Sequence, residues 1–197
     1  MALEKRRDEN SSLFMVKIMP IYRFGKKIPR IARTAFVHPQ AVIIGDVQVG
    51  NHCFIGAGAV LRGDFGRINI GCGTSIQENC VLHGGVKKTV SIHDNVIIAH
   101  GAMVHDATVK SYVLVGMGVI LMNGVFCEDH VLIAAGSMVK ENFHIPSNVV
   151  VAGNPAKIIK PLSSGQRKAI HQGVKAYQDL VKRYKRTRFE VVEFPEI

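Results

Sequence analysis

The sequence of 197 residues contains no tryptophan, and aromatic residues make up only 7% of it. It also lacks a long apolar run: the longest, Val113 to Met122, is interrupted by Gly116 and Gly118 and has about half the length of a membrane span. The first residues, MALEKRRDENSSLF, include no continuous apolar stretch of the kind that a secretory signal peptide needs. We therefore expect no membrane segment, no membrane partner and no export.

Paired cysteine motifs are absent as well. The four cysteines, Cys53, Cys72, Cys80 and Cys127, form no CxxC pair. In a chain without a secretion signal, such isolated cysteines are expected to be reduced thiols. The sequence thus predicts a cytoplasmic location.

The formal net charge of +10 suggests an acidic partner, but its distribution argues against nucleic acid. Residues 1–35 contain 9 Lys/Arg and 3 Asp/Glu, residues 36–161 contain 8 of each, and residues 162–197 contain 8 and 4. The excess lies entirely in the two flanks, and the long middle segment is neutral. A basic groove across the core is not expected, so we predict no nucleic-acid partner.

A period of six residues runs through the middle of the chain, where a helical period of 3.6 fails. The period links nineteen positions, of which eighteen are Val, Ile or Leu and one is cysteine. They are Val37, Ile43, Val49, Ile55, Leu61, Ile70, Ile76, Leu82, Ile92, Ile98, Val104, Val109, Val115, Leu121, Cys127, Ile133, Val139, Ile145 and Val151.

A six-residue unit with one inward aliphatic side chain and small residues near its ends forms a short strand and a turn. Three units close a triangular coil of about 18 residues, and successive coils stack at the strand spacing. The sequence therefore predicts an all-β parallel β-helix of hexapeptide repeats, a triangular prism, over residues 19–161. Residues 1–18 are predicted to be an N-terminal extension.

The six-residue period slips at three places, where a solenoid is expected to grow loops. The slips add three residues between Leu61 and Ile70 and four between Leu82 and Ile92, and they remove one after Val104. Beyond Pro161 the spacing becomes helical, with Ser163 and Ser164 as capping residues. Residues 162–197 are thus predicted to form a C-terminal α-helix and a tail.

Counting coils turns these positions into spatial neighbours. His83 follows Leu82 and His105 follows Val104, and the two are one coil plus the four-residue insertion apart. We therefore expect His83 and His105 to stack on adjacent coils, with Arg62 in the same stack. His100 shares the preceding face with Gln77.

Three such histidines cannot converge within one prism, but they can do so across a threefold axis. Three imidazoles leave a fourth position open for water, as at a catalytic zinc. Fe²⁺ and Co²⁺ suit the same ligands. The sequence predicts a homotrimer with a metal site at each subunit interface, while the other six histidines are treated as ordinary surface or turn residues: His38, His52, His93, His130, His144 and His171.

The segments LRGDFGRINIG, IQENCVLHG, VIIAHGAMVHDA and VAGNPAKIIK resemble the gamma-class carbonic anhydrase-like family of left-handed β-helix trimers, in its PaaY/CaiE-like branch. The resemblance implies Zn²⁺ bound by His83 and His105 of one subunit and His100 of the next. It implies that the metal lowers the pKa of its water, so that hydroxide attacks CO₂ to give bicarbonate.

The same resemblance implies roles for four further residues. Arg62 and Asp64 form an interface ion pair between subunits near the metal, with trimer association alone as the alternative role. Gln77 is a hydrogen-bond partner of the bound water or bicarbonate, and Tyr177 is a candidate to reach the pocket from the terminal helix, packing being its alternative role. These four are the predicted catalytic residues.

The chain departs from the archetypal gamma carbonic anhydrase at its proton-transfer glutamates. Phe65 follows Asp64, and the segment from Gly84 to Val90 contains Lys87 and Lys88 but no carboxylate. Glu78 or a buffer molecule would then have to take the proton. Two alternatives follow: a thioesterase acting on an acyl-CoA substrate, or a hexapeptide acyltransferase or non-catalytic accessory trimer.

Overall fold

The computed structural model describes residues 20–187, so the predicted extension 1–18, the domain start at residue 19 and the end of the tail lie outside the described residues. In chain order the strands are β1 (Ile21–Tyr22), β2 (Arg30–Ile31), β3 (Phe36–Val37), β4 (Val42–Val49), β5 (Phe54–Ile55), β6 (Val60–Ile70), β7 (Ser75–Ile76), β8 (Val81–His83), β9 (Thr89–Ile92), β10 (Ile97–Ile98), β11 (Met103–His105), β12 (Thr108–Val109), β13 (Leu114–Val115), β14 (Ile120–Leu121), β15 (Phe126–Cys127), β16 (Leu132–Ile133), β17 (Met138–Val139), β18 (His144–Ile145), β19 (Val149–Gly153) and β20 (Ala156–Pro161). The helix α1 (Ser164–Arg186) follows them.

These strands wind into a left-handed parallel β-helix of about seven turns, as predicted. Apart from β20, the strands pair in parallel with their counterparts in adjacent coils, and the ladder residues lie in register. Leu61 pairs with Leu82, Leu82 with Val104, and Val104 with Leu121. All nineteen hexad positions are buried. The six-residue period therefore identified the inward-facing side chains and their register correctly.

A second buried ladder lies two residues before the first and was not predicted. It consists mainly of small side chains, among them Ala41, Cys53, Ala59, Cys80 and Ala102, each fully buried. These residues sit where the chain enters each strand from a turn, so their side chains fill the inner edges of the prism. A narrow interior that holds two such ladders leaves no room for large rings, which accounts for the missing tryptophan.

The first predicted loop is wrong. Residues 60–70 form the continuous strand β6, which passes from one face of the prism to the next. Its first half pairs with β8 and its second half with β9. Strand β4 runs beside β6 and pairs with it on both faces, so the three extra residues are absorbed into a long bent strand. The second slip does form a loop, residues 84–88, between β8 and β9.

The helix covers the third face of the prism, made by β3, β5, β7, β10, β13, β16 and β19. Its N-terminus has the predicted cap: Ser163 Oγ accepts from Gln166 N–H, and Gln166 Oε1 accepts from Ser163 N–H. Val174 packs on Ile97 and Ala99. Strand β20 runs antiparallel to β19 and closes the C-terminal end of this sheet.

Two of the histidines treated as ordinary surface residues help to hold the helix. The rings of His171 on α1 and Tyr112 are stacked with centroids 4.3 Å apart, and the ring of His130 stacks with both, at 5.4 Å from Tyr112 and 5.8 Å from His171. These contacts are packing contacts, in agreement with their treatment in the sequence. Within residues 20–187, no helix has the length and apolar character needed to cross a membrane.

Candidate metal centre

The predicted stack of His83 and His105 forms at one edge of the prism. His83 ends β8 and His105 ends β11, and the two residues are direct neighbours in the ladder. Nδ1 of His83 lies 3.0 Å from Nε2 of His105. Arg62 of β6 is the neighbour of His83 on the other side, also as predicted. We call this cluster, completed by Asp64 and Asn123, the paired-histidine edge.

Asp64 connects the arginine to the first histidine. Its Oδ2 accepts from Arg62 Nη1 at 2.7 Å, and its Oδ1 lies 3.0 Å from His83 Nε2 and 2.8 Å from Phe65 N. Partial burial alone would raise the pKa of Asp64, but hydrogen bonds from Arg62, Phe65 and His83 lower it to about 2. Asp64 is therefore ionised at neutral pH, and it accepts a hydrogen bond from His83 Nε2.

The second histidine is held in the same way on its outer side. His105 Nδ1 lies 2.7 Å from Asn123 Oδ1 and 3.3 Å from a carboxylate oxygen of Asp106. Because both neighbours are acceptors, Nδ1 of His105 carries the ring proton.

These contacts determine which ring nitrogens of His83 and His105 carry the protons. With protons on His83 Nε2 and His105 Nδ1, the inner atoms His83 Nδ1 and His105 Nε2 both carry lone pairs. Two lone pairs at 3.0 Å repel each other unless a proton or a cation lies beside them. Two imidazole nitrogens bound to one tetrahedral zinc would be about 3.3 Å apart. The donor set therefore fits a divalent metal ion.

The remaining predicted site residues lie at a different edge of the prism, which we call the single-histidine edge: Gln77, Glu78, His100 and Tyr177. Gln77 directly follows β7 and is 3% exposed. Nδ1 of His100 lies 2.7 Å from Glu78 Oε2, and the His100 side chain is 49% exposed. Here too an acceptor holds Nδ1, so Nε2 of His100 carries the lone pair and faces away from Glu78.

Tyr177 reaches this edge from α1. Its ring packs against Phe54 at a centroid distance of 5.3 Å. Burial raises the pKa of the Tyr177 hydroxyl, and the nearby Glu78 and Cys80 raise it further. The contact with Phe54 is the packing role considered in the sequence analysis, and the nearness of Glu78 places the residue at the same edge as His100.

Strands β8 and β11 separate the two edges, so the chain brings His83 and His105 together but not His100. Among residues 20–187 of one chain, no three His, Cys, Asp or Glu side chains are grouped so that they could hold a metal ion. Ligation of a metal by two chains stays a prediction.

Sequence reasoning missed Asn123, Asp106 and the position of Phe65. Val104 pairs with Leu121 one coil further on, and Asn123 follows Leu121 by two residues, so the repeat placed Asn123 near His105, but only the histidines were followed. Asp106 holds the loop after His83, since its Oδ1 accepts from Gly85 N at 2.6 Å. The Phe65 ring lies 5.9 Å from the His83 ring, where the archetype has a proton-transfer glutamate.

Comparison with known proteins identifies the family. The chain is 44% identical over 161 residues to gamma carbonic anhydrase 2, mitochondrial, of Arabidopsis thaliana, covering 78% of this chain and 58% of the plant protein. It is 39% identical to the carnitine operon protein CaiE of Escherichia coli O157:H7, covering 84% of each chain. The chain belongs to the gamma-class carbonic anhydrase-like family.

Two further matches support this membership. The family described as "Bacterial transferase hexapeptide (six repeats)" matches residues 29–63. The crystal structure of a hexapeptide transferase family protein from Anaplasma phagocytophilum has a TM-score of 0.81 and 32% identity, over 84% of this chain and 98% of that one. These names support an enzymatic role for this gamma-class carbonic anhydrase-like chain. Because the relatives include mitochondrial and bacterial proteins, its cytoplasmic location stays a prediction.

Proposed function

We infer that the protein is a metal-dependent, gamma-class carbonic anhydrase-like enzyme that interconverts CO₂ and bicarbonate. The observation that carries this inference is that His83 Nδ1 and His105 Nε2 lie 3.0 Å apart while the outer ring nitrogens of both residues face acceptor oxygens. His100 of a second copy is the third ligand, and Zn²⁺ is the first candidate, with Fe²⁺ and Co²⁺ as alternatives.

The surface between the two edges supports association with further copies. On the outer side of β8, β11 and β14, Val81, Met103 and Ile120 are stacked one above the other and are 37%, 46% and 37% exposed. They line an apolar groove of about 220 Å³ together with His83 and His105. An exposed apolar stripe bordered by two incomplete half-sites suits a homotrimer in which each paired-histidine edge meets a single-histidine edge.

The side chains around the site have separate tasks in this reaction. A divalent metal there would supply a water of lowered pKa, a nucleophile at neutral pH. Asp64 and Asn123 fix the orientation of His83 and His105, and Arg62 holds Asp64 in place. Gln77, which directly precedes Glu78, would donate an amide hydrogen to an oxygen of the substrate. Tyr177 offers a hydroxyl at the same edge.

A thioester substrate is the second candidate. Phe65 next to His83 and the lysines of loop 84–88 replace groups that would carry a proton away during fast CO₂ hydration. An apolar ring and cations suit a larger, anionic substrate, such as the acyl-CoA thioester named as an alternative above. The metal ligands would be the same for both substrates.

Elemental analysis of purified protein, followed by stopped-flow CO₂ hydration, tests the proposal. We expect about one divalent metal ion per chain and a rate above that of the uncatalysed reaction. His105→Ala should lose both. His93→Ala is the matched control, because His93 lies on the same prism without being a proposed ligand, and it should keep both.

The outcomes separate the candidates. If the wild-type protein carries metal but hydrates CO₂ no faster than His105→Ala, the carbonic anhydrase reading fails. The protein is then assayed for release of free CoA from a panel of thioesters. Metal content that is negligible after growth in zinc-, iron- and cobalt-supplemented media would overturn the metal proposal altogether and revive the acyltransferase or accessory-trimer alternatives.

A further inference from the structure

A cleft with four basic residues opens beside the paired-histidine edge. It has a volume of about 220 Å³, and its charged lining residues are Lys27, Arg67, Lys87, Lys88 and Asp46. By volume it would hold about seven water molecules, more space than a single bicarbonate or phosphate ion fills.

Backbone hydrogen bonds between β6 and loop 84–88 build this cleft. Arg67 N–H donates to Lys88 O at 3.0 Å, and Gly66 N–H donates to Gly84 O at 3.0 Å. A Cβ at Gly66 would collide with the carbonyls of Lys88 and Gly85, so the two segments approach this closely only with glycine there. The loop that carries the two lysines is therefore fixed to the strand that carries Asp64.

The cleft begins at the candidate metal ligands. Loop 84–88 starts directly after His83, and its Gly85 is held by Asp106, which also contacts His105. Phe65, which contacts the ring of His83, lines the same cleft. A molecule whose reacting end lies at the histidines would therefore extend between the lysines.

The charges in the cleft are largely uncompensated. Arg67 pairs with Asp46 at 2.9 Å. The half-buried Lys27 donates from Nζ to the carbonyl oxygens of Asp64 at 2.7 Å and Phe65 at 3.2 Å, which do not neutralise its charge. Across residues 20–187, no carboxylate forms an ion pair with Lys27, Lys87 or Lys88. Four cations against one carboxylate, held on a fixed loop, make an environment that favours a polyanion.

We propose that this cleft binds the diphosphate group of a substrate whose reacting end lies at the paired-histidine edge. The position of the reacting end rests on the proposed function, but the binding of the phosphates does not. Lysine and arginine side chains bind phosphate oxygens through charge-assisted hydrogen bonds. CO₂ has no group that could use them, and a single bicarbonate ion does not fill the cleft. The proposal therefore favours the second candidate substrate class, thioesters with a diphosphate-containing carrier.

Calorimetric titration tests this binding directly. The probes are inorganic pyrophosphate, coenzyme A and pantetheine, the last of which lacks the phosphates. We expect coenzyme A and pyrophosphate to bind wild type, and the double variant Lys87→Ala/Lys88→Ala to bind them at least about tenfold more weakly. The matched control is Lys157→Ala/Lys160→Ala, which removes two exposed lysines from β20 and should bind both probes as wild type does.

Two further measurements decide the alternatives. Because pyrophosphate also binds divalent metals, the titration is repeated with His105→Ala: retained binding places the phosphates on the lysines, and lost binding overturns the proposal. Equal affinity of coenzyme A and pantetheine for wild type also overturns it, as does unchanged affinity in the loop variant. Metal content is measured on the same preparations, so failure of the proposed function is seen separately from failure of the phosphate site.

Discussion

The two edges of the prism carry the same kind of ligand in different surroundings. At the paired-histidine edge, His83 is 13% exposed and contacts both Asp64 and His105, while His105 has two acceptors at its outer nitrogen. At the single-histidine edge, His100 is 49% exposed, and within residues 20–187 its ion-pair partner is Glu78. One edge is a connected network, and the other is a single pair.

The difference follows from the coils that form each edge. At the paired-histidine edge, Arg62, His83 and His105 of three consecutive coils form one column, and Asn123 of the next coil contacts His105 from one residue beyond that column. His100 lies on a turn beyond β10, where Glu78 of the preceding coil pairs with it and the corresponding residue of the following coil is the apolar Met117. The paired-histidine edge is thus organised within one chain, and we predict that association with a second chain completes the single-histidine edge.

The largest effect is expected from mixing two defective chains. His105→Ala and His100→Ala should each abolish metal binding, because each damages a different edge. Coexpressed in equal amounts, they should recover about one quarter of the wild-type metal content, since a quarter of the interfaces in a random trimer join two intact edges. Metal content of affinity-purified mixed trimers is the measurement.

The matched control for mixing is a pair of variants at one edge. His83→Ala and His105→Ala damage the same half-site, so their mixture should recover no metal. The two edges do not meet between subunits if both mixtures recover the same metal content. The same conclusion follows if correctly folded protein from both mixtures contains no metal.

A smaller loss of metal binding is expected when the acceptor that holds a histidine is removed, and the loss should differ between the two edges. Asn123→Ala leaves His105 Nδ1 with Asp106 at 3.3 Å, whereas Glu78→Ala removes the ion-pair partner of His100. Loss of such an outer acceptor typically weakens metal binding about 10- to 100-fold. We expect Glu78→Ala to lie toward the upper end and Asn123→Ala at or below the lower end, as measured by competition with a metal chelator.

Thermal unfolding of both variants is the accompanying control. Both residues are at the surface, so the melting temperatures should stay close to that of wild type. A larger loss of metal affinity in Asn123→Ala than in Glu78→Ala would contradict the idea that the paired-histidine edge contains redundant contacts.

The sequence predicted the parts of the site that the repeat controls. Inward aliphatic residues such as Leu82 and Val104 fix the register, because a slip by one residue would turn them to the outside. With the register fixed, the stacking of Arg62, His83 and His105 follows by counting. The same counting separated His100 from them, which is why a second subunit was needed in the prediction.

The parts that could not be predicted depend on contacts outside the repeat. Strand β6 runs continuously through the slip because β4 pairs with it on both faces, a pairing that the hexad period does not encode. The stack of Tyr112 with His171 depends on where α1 lies on the prism. The basic cleft depends on how loop 84–88 folds back on Arg67, which spacing alone does not determine.

The smallest effect is expected for Tyr177→Phe, which separates the two roles considered for this residue. The variant keeps the ring that packs on Phe54, so the free energy of unfolding should change by less than about 0.5 kcal/mol. If the hydroxyl contacts the substrate at the single-histidine edge, kcat/KM should fall by a few-fold to about tenfold with metal content unchanged. Unchanged kcat/KM in Tyr177→Phe, together with a lowered melting temperature in Tyr177→Ala, would assign Tyr177 to packing alone. The single-histidine edge would then contribute His100, Gln77 and Glu78 to the site, without the Tyr177 hydroxyl. Substrate binding would depend more strongly on the groups that the paired-histidine edge of another chain supplies.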